Sequence, residues 1–187
     1  GDPLIEGGDI LWRMAELEQV THFGTSAAFL GALEKQQVKP NARYKLESLR
    51  ALLSTGSTLY PSQFDYISSS IKKMWIQSIS GGTDIIGCFG LGAPSKPVVR
   101  GEVQAKSLGY DVCVYDASQK RVVGEEGELV CAAPAPSMPI YLLSSSEGFI
   151  GATIPGGGIR ATRGYSRKDS SLCHPCRQGI VECRAYH

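Results

Sequence analysis

The stretch Trp75-Ile76-Gln77-Ser78-Ile79-Ser80-Gly81-Gly82-Thr83-Asp84-Ile85-Ile86 carries two signals in succession. Trp75 to Ile79 is β-prone and reads as a strand. Ser80 to Asp84 follows it at once as a run of small residues and oxygen donors, which reads as a loop. The same juxtaposition occurs upstream, where the apolar run Leu49 to Leu53 ends in Ser54-Thr55-Gly56-Ser57-Thr58. Two strands that each stop at a Gly/Ser/Thr-rich loop are the outline of an open α/β sheet.

The segments around them fit that outline. Ile10-Leu11-Trp12 with Met14, Ala15 and Leu17 has helical spacing, and Asp9 reads as its N-cap. Val20 to Phe23 is a short β-prone run. Thr25 or Ser26 caps a second helix with Ala28, Phe29, Ala32 and Leu33 on one face. Lys39-Pro40-Asn41 breaks the pattern. Pro61 suits the first turn of a third helix carrying Phe64, Ile67 and Ile71, with Lys72-Lys73 at the end where the dipole favours cations. Helix and strand thus alternate over 9–84, which predicts βαβ crossovers and a parallel sheet. Gly87 to Pro97 reads as irregular. The period then becomes two: Tyr110 to Tyr115 and Gly127 to Cys131 read as antiparallel strands, with a turn at Asp116–Lys120. The fold class is α/β, a parallel-sheet portion followed by the start of an antiparallel barrel-like portion.

Ligands of such sheets bind beyond the carboxyl ends of the strands. Hydroxyls and free backbone amides there suit phosphate oxygens, and small residues let a flat base approach the backbone. Asp84 offers a hard oxygen appropriate to Mg²⁺ on phosphates. Both loops also read as ordinary strand-to-helix turns. No Gly-x-x-x-x-Gly-Lys-Ser/Thr loop and no Gly-x-Gly-x-x-Gly follows a strand, so neither a P-loop enzyme nor a Rossmann dehydrogenase is supported.

Composition sets the remaining bounds. The chain has 187 residues, 42% hydrophobic and 20% charged, a globular balance. Nineteen Lys+Arg against eighteen Asp+Glu give +1, which points to neither nucleic acid nor an acidic ligand. No apolar run reaches the length of a membrane span, and the polar, Gly-rich start reads as no signal peptide. The charge is uneven: residues 1–150 hold 13 Lys/Arg and 16 Asp/Glu, whereas 151–187 hold 6 and 2. Cys173, Cys176 and Cys183 cluster in that tail, while Cys88, Cys113 and Cys131 are dispersed among apolar neighbours.

The 75–86 stretch, with Leu53-Ser54-Thr55-Gly56-Ser57 before it, resembles the acyl-adenylating ligases, and within them the acetoacetyl-CoA synthetases. Gly101-Glu-Val-Gln-Ala-Lys-Ser-Leu-Gly109, the Glu125–Cys131 strand and Ile10-Leu11-Trp12 extend the similarity, in order, over about residues 3–141. The resemblance implies a partial AMP-binding domain over 1–141 and a two-step enzyme. A carboxylate, here acetoacetate, is joined to ATP as acyl-AMP, and the acyl group then passes to coenzyme A. By motif position Gly56, Ser57 and Thr58 correspond to the loop beside the adenine. Ser78, Ile79, Ser80, Gly81, Gly82 and Thr83 line the nucleotide, with Thr83 at the phosphates as the catalytic contact. Asp84, where the wider superfamily has Glu, holds Mg²⁺. Thr25, in His22-Phe23-Gly24-Thr25, is a coenzyme A contact, and His22 reads as a packing residue before a catalytic one. Such chemistry needs electrostatic stabilisation at the α-phosphate more than a side-chain nucleophile. The implied partners are small molecules, with no nucleic acid and no membrane, and the implied location is the cytosol.

Several parts of the family pattern do not occur in these residues. There is no Ser/Thr/Gly-rich phosphate loop ending in Lys, no Gly-Asp for the ribose soon after residue 141, and no hinge with a C-terminal lid. The expectation is therefore the middle of a larger ligase, inactive alone, with a tail over 142–187 foreign to it. Three readings of the tail stand open. One is a frame or splice change: read two bases later, codons open to Ile154–Thr162 can spell Pro-Gly-x-Trp-x-x-Gly-Asp, the form expected there. Another is a zinc-stapled interaction module using Cys173, Cys176, Cys183 and His187, with His174 as a spare donor. The last is a basic disordered tail. A truncated, non-catalytic relative that binds nucleotide or a partner is the alternative to a working ligase.

Overall fold

The computed structural model describes residues 2–82, 85–135 and 137, and the backbone of four short tail strands within 153–154, 158–160, 171–175 and 181–185. Two compact units form, Gly1–Ser78 with Pro97–Gly101, and Ile79–Lys96 with Glu102–His187.

The first unit is the alternating portion. Helix α1 (Ile10–Leu17) precedes strand β1 (His22–Ser26), helix α2 (Ala27–Lys35), strand β2 (Ala51–Thr55), helix α3 (Pro61–Tyr66) and strand β3 (Trp75–Ser78). The strands form a parallel sheet in the order β1-β2-β3. Phe23, Leu52 and Ile76 stand side by side in its register. They pack against Trp12, Leu30, Leu33, Phe64, Ile67 and Ile71 in one apolar cluster. Trp12 is fully buried and stacks on Phe23 with ring centroids 4.7 Å apart. The expected parallel crossovers are thus present, and the helical apolar spacing supplies their cover.

Local chemistry fixes the helix ends. Ser26 is in extended conformation and its Oγ accepts from the Phe29 amide at 3.1 Å, a regular N-cap. The buried face of α2 is Ala27, Phe29, Leu30 and Leu33, whereas Ala28 is exposed, so the face expected from spacing is rotated. Asp9 is not the cap of α1: its backbone is already helical and its side chain accepts nothing from the helix. Its carboxylate instead pairs with Arg43, a partner 34 positions away. Pro61 opens α3 as expected. Buried Gln63 then joins two elements: its Oε1 accepts from the Tyr60 amide at 2.8 Å and its Nε2 donates to the Ala27 carbonyl at 2.7 Å.

Helix α3 runs on into a π-helical turn over Ile67–Ile71, closed by the Lys72 amide on the Ile67 carbonyl at 2.9 Å. The Lys72 ammonium does not serve the helix dipole. It donates to the carbonyls of Leu46, Glu47 and Leu49 at 2.9, 2.7 and 2.8 Å, binding the turn that leads into β2.

In the second unit Ser80–Gly82 is a strand, β4, and Gly87–Leu91 is another, β5; they pair antiparallel, and β5 continues to Ala105–Lys106, β6. Two expectations are corrected here. The 80–84 segment is not a loop throughout, and the 87–97 stretch is not wholly irregular. Backbone pairing, not side-chain pattern, makes these glycine-rich residues strands. The period-two segments behave as expected: Val112–Tyr115 (β7) pairs with Glu128–Cys131 (β9), and Arg121–Val122 (β8) returns on β7. Asp116 Oδ1 holds the turn between β7 and β8, accepting from the Ser118 and Lys120 amides at 2.8 and 2.9 Å.

Tail strands Thr153–Ile154 (β10) and Gly158–Arg160 (β11) join this sheet beside β9. Ser171–Pro175 (β12) pairs antiparallel with Val181–Ala185 (β13), placing Cys173 and Cys183 at paired register positions. Cys176 and His187 lie outside the described residues. Among the described residues, no group of three His, Cys, Asp or Glu side chains could hold a metal ion. No described helix is long and apolar enough to cross a membrane.

Candidate functional site

The carboxyl ends of β1, β2 and β3 bring the expected site residues of the first unit together. Thr25, Ser54 and Ser78 are register partners across the three strands. They lie two positions beyond Phe23, Leu52 and Ile76, so they share the sheet face that carries the apolar cluster. The result is a row of three hydroxyls at the carboxyl end of the sheet face that carries the apolar core. Ser26 and Thr55 form the next register pair.

Gly56 follows β2 with φ +85°, a left-handed conformation that favours glycine, and a side chain there would meet nothing within 4 Å. Its glycine therefore answers a turn, and the space beside it is free. Ser57 is exposed, Thr58 is half-buried, and Leu59 anchors the end of the loop in the core. His22 stands at the opposite, amino end of β1, exposed, with Nδ1 2.9 Å from the Thr21 hydroxyl. It lies roughly 10 Å from Thr25 by the strand rise. It is therefore neither a core packing residue nor a member of the carboxyl-end row.

The two glycines of Ser80-Gly81-Gly82 have different causes. A Cβ on Gly81 would lie 2.5 Å from the Gly87 carbonyl oxygen and 3.1 Å from the Cys88 Cα. Gly81 is thus required by the approach of β4 to β5. Gly82 is exposed with nothing within 4 Å, so no packing contact requires glycine there. Thr83 and Asp84 lie outside the described residues.

The residues that follow are held firmly. The Ile85 carbonyl accepts from the Ser137 hydroxyl at 3.0 Å and the Tyr110 hydroxyl at 3.4 Å, and those two hydroxyls bond to each other. Ile86 then turns left-handed at φ +48° with its side chain exposed. A β-branched residue in that region is an outlier, and such strain concentrates at functional segments. Sequence reading missed the Tyr110–Ser137 brace because its partners are far apart in the chain. It also missed Ser54, whose 1% exposure could not be read from a Ser-Thr-Gly-Ser string.

Cys113 and Cys131 are buried and Cys88 half-buried, and burial pushes all three thiols up.

Known proteins resemble this chain in sequence and fold. The chain is 42% identical over 149 residues to an acetoacetyl-CoA synthetase of Danio rerio, and 44% identical over 149 residues to one of Rhizobium meliloti. This segment is homologous to the acetoacetyl-CoA synthetases. The matches cover 79% of this chain but only 22% and 23% of those two proteins, so it spans about a fifth of their length. The solved acetoacetyl-CoA synthetase of Streptomyces lividans superposes with a TM-score of 0.78 at 34% identity, over 97% of this chain and 28% of that one. An anthranilate CoA ligase solved with anthranoyl-AMP shares the fold at TM-score 0.77 and 16% identity, over 98% of this chain and 32% of its own. No protein-family model matches the chain. The homology to acetoacetyl-CoA synthetases thus agrees with the α/β architecture, a parallel sheet followed by antiparallel strands.

Proposed function

We propose that the protein ligates acetoacetate to coenzyme A with ATP, through an acetoacetyl-AMP intermediate. The observation that carries this reading is the set of hydroxyl and glycine positions at the carboxyl ends of β1, β2 and β3, in a segment homologous to acetoacetyl-CoA synthetases. Gly56, Ser57 and Thr58 flank the adenine. Ser78, Ile79, Ser80, Gly81 and Gly82 line the nucleotide, and open space at Gly56 and Gly82 supports the approach of a flat ligand to the backbone. Thr83 contacts the phosphates, Asp84 holds Mg²⁺, and Thr25 contacts coenzyme A. Residues 1–141 act as part of an AMP-binding domain, in the cytosol. Residues 142–187 carry sequence foreign to that domain, although strands β10 and β11 within them pair beside β9.

Adenylation draws an acid oxygen onto the α-phosphorus as pyrophosphate leaves, and charge grows on the phosphate oxygens. This segment's task is to orient the nucleotide with backbone amides and hydroxyls held on strand ends. The phosphate loop, the ribose-binding Gly-Asp and the lid complete the reaction in the polypeptide that carries them. Acetoacetate-dependent exchange of labelled pyrophosphate into ATP by the full-length gene product tests the reading. Exchange with other short acids but not acetoacetate overturns the substrate, and exchange with no acid overturns the activity.

A further inference from the structure

Gly82 of β4 and Gly87 of β5 are register partners, so residues 83–86 connect the two strands. The second half of that connection is held at three places. The Ile85 side chain is buried, packed with Phe89, Val112 and Cys131. Its carbonyl meets the hydroxyls of Ser137 and Tyr110 at 3.0 and 3.4 Å. Gly87 lies against the Tyr110 ring, where an added Cβ would collide with the phenol. Ile86 stands between these points, left-handed and exposed. Such strain in a β-branched residue persists only where the surroundings impose it.

The two hydroxyls also bond to each other. They own two protons for three contacts. The hydroxyl that accepts from the other donates to the Ile85 carbonyl, so the carbonyl keeps a donor in either arrangement. These partners come from 25 and 52 positions along the chain. A short hairpin connection closes by its own turn chemistry and needs no such help. Ordering two distant side chains on one carbonyl costs conformational entropy, and what it secures is the placing of residues 83–86.

We propose that Tyr110 and Ser137 are positioning residues for the nucleotide: by holding the Ile85 carbonyl they fix the β4–β5 connection before ATP arrives. The proposal rests on the ligase reading above, in which Thr83 of this connection contacts the phosphates. Neither hydroxyl touches the ligand. Their effect is on affinity, because a loosened connection has to be ordered by ATP itself. Once ATP is bound the connection is in place and the chemical step proceeds as before, which separates KM from kcat.

The test compares wild type, Tyr110→Phe, Ser137→Ala and the double variant in the full-length gene product. Acetoacetate-dependent pyrophosphate exchange gives KM for ATP and kcat, and hydrogen exchange of the 85–87 amides is followed in the ligand-free proteins. Each single variant should raise KM for ATP by about twofold to threefold, since the remaining hydroxyl still reaches the carbonyl. The double variant should raise it about tenfold, keep kcat within about threefold, and exchange its 85–87 amides faster than wild type. A merely structural role removes active enzyme instead, lowering kcat at constant KM. An unchanged KM in the double variant overturns the proposal, whatever happens to kcat. If the double variant fails to fold, Ser137→Ala decides alone: a raised KM with faster exchange at 85–87 supports the proposal, and an unchanged KM overturns it. Exchange by wild type with an unmoved KM in the variants sinks this proposal and leaves the ligase reading standing. No pyrophosphate exchange by wild type with any acid overturns the ligase reading, and this proposal with it.

Discussion

Alanine at Gly81 and at Gly82 should have opposite effects, although the residues are adjacent and chemically identical. At Gly81 the new methyl would sit 2.5 Å from the Gly87 carbonyl oxygen, nearly 1 Å short of the 3.4 Å where ordinary contact begins. It would also lie 3.1 Å from the Cys88 Cα and 3.3 Å from its Sγ. The obstruction at 2.5 Å is backbone, so no side-chain rotation relieves it. Strands β4 and β5 must part, at a cost of about 2–3 kcal/mol for such overpacking. At Gly82 nothing lies within 4 Å and φ is not left-handed, so alanine only narrows the unfolded ensemble and gains about 0.5 kcal/mol. With a urea slope near 2 kcal/mol per molar, Gly81→Ala should lower the unfolding midpoint by about 1 M. Gly82→Ala should raise it slightly. Equal midpoints for the two variants would refute the assignment of Gly81 to strand approach and Gly82 to open space.

Other expectations follow from single contacts. Lys72→Met removes three hydrogen bonds to the Leu46, Glu47 and Leu49 carbonyls and should cost about 2 kcal/mol after discounting for partial exposure, measured by urea unfolding. Ile86→Gly relieves a left-handed β-branched residue whose side chain is exposed, and should raise stability by about 1 kcal/mol in the same assay. Arg100 meets Asp65 through two nitrogens at 2.7 to 3.1 Å on an exposed surface. The guanidinium holds the Asp65 carboxyl below its usual range, so the pair contributes at neutral pH and its contribution fades as acid protonates the carboxylate. Arg100→Gln should flatten the acid side of the stability profile, and salt should shrink the difference between the two proteins.

The parallel portion was legible in the sequence because it depends on local pattern. Pro61 and the Ser26 cap are decided within a few residues and appear where the sequence places them, and apolar spacing marks the helices although the buried face of α2 is rotated from the one expected. Where the sequence reading failed, the deciding partner was distant. Asp9 looked like a cap and turned to Arg43. Lys72 looked like a dipole partner and turned to three carbonyls of the 46–49 segment. Ser80–Gly82 and Gly87–Leu91 carry too little side chain to show a strand pattern, and only their mutual pairing makes them strands. Within the site, Thr25, Ser78 and Gly56 were readable as strand-end residues. The unpaired burial of Ser54 was not, because it is a property of the packed sheet.

The central claim is that the carboxyl ends of the parallel strands hold a nucleotide. Amide chemical-shift mapping of the isotope-labelled chain during an AMP titration tests it directly. The account predicts shifts concentrated at 54–58 and 78–82, with the amino ends of the parallel strands, His22 and Ala51 among them, unmoved. Shifts confined to the amino ends or to the 110–131 strands, or no shift at saturating AMP, would contradict it.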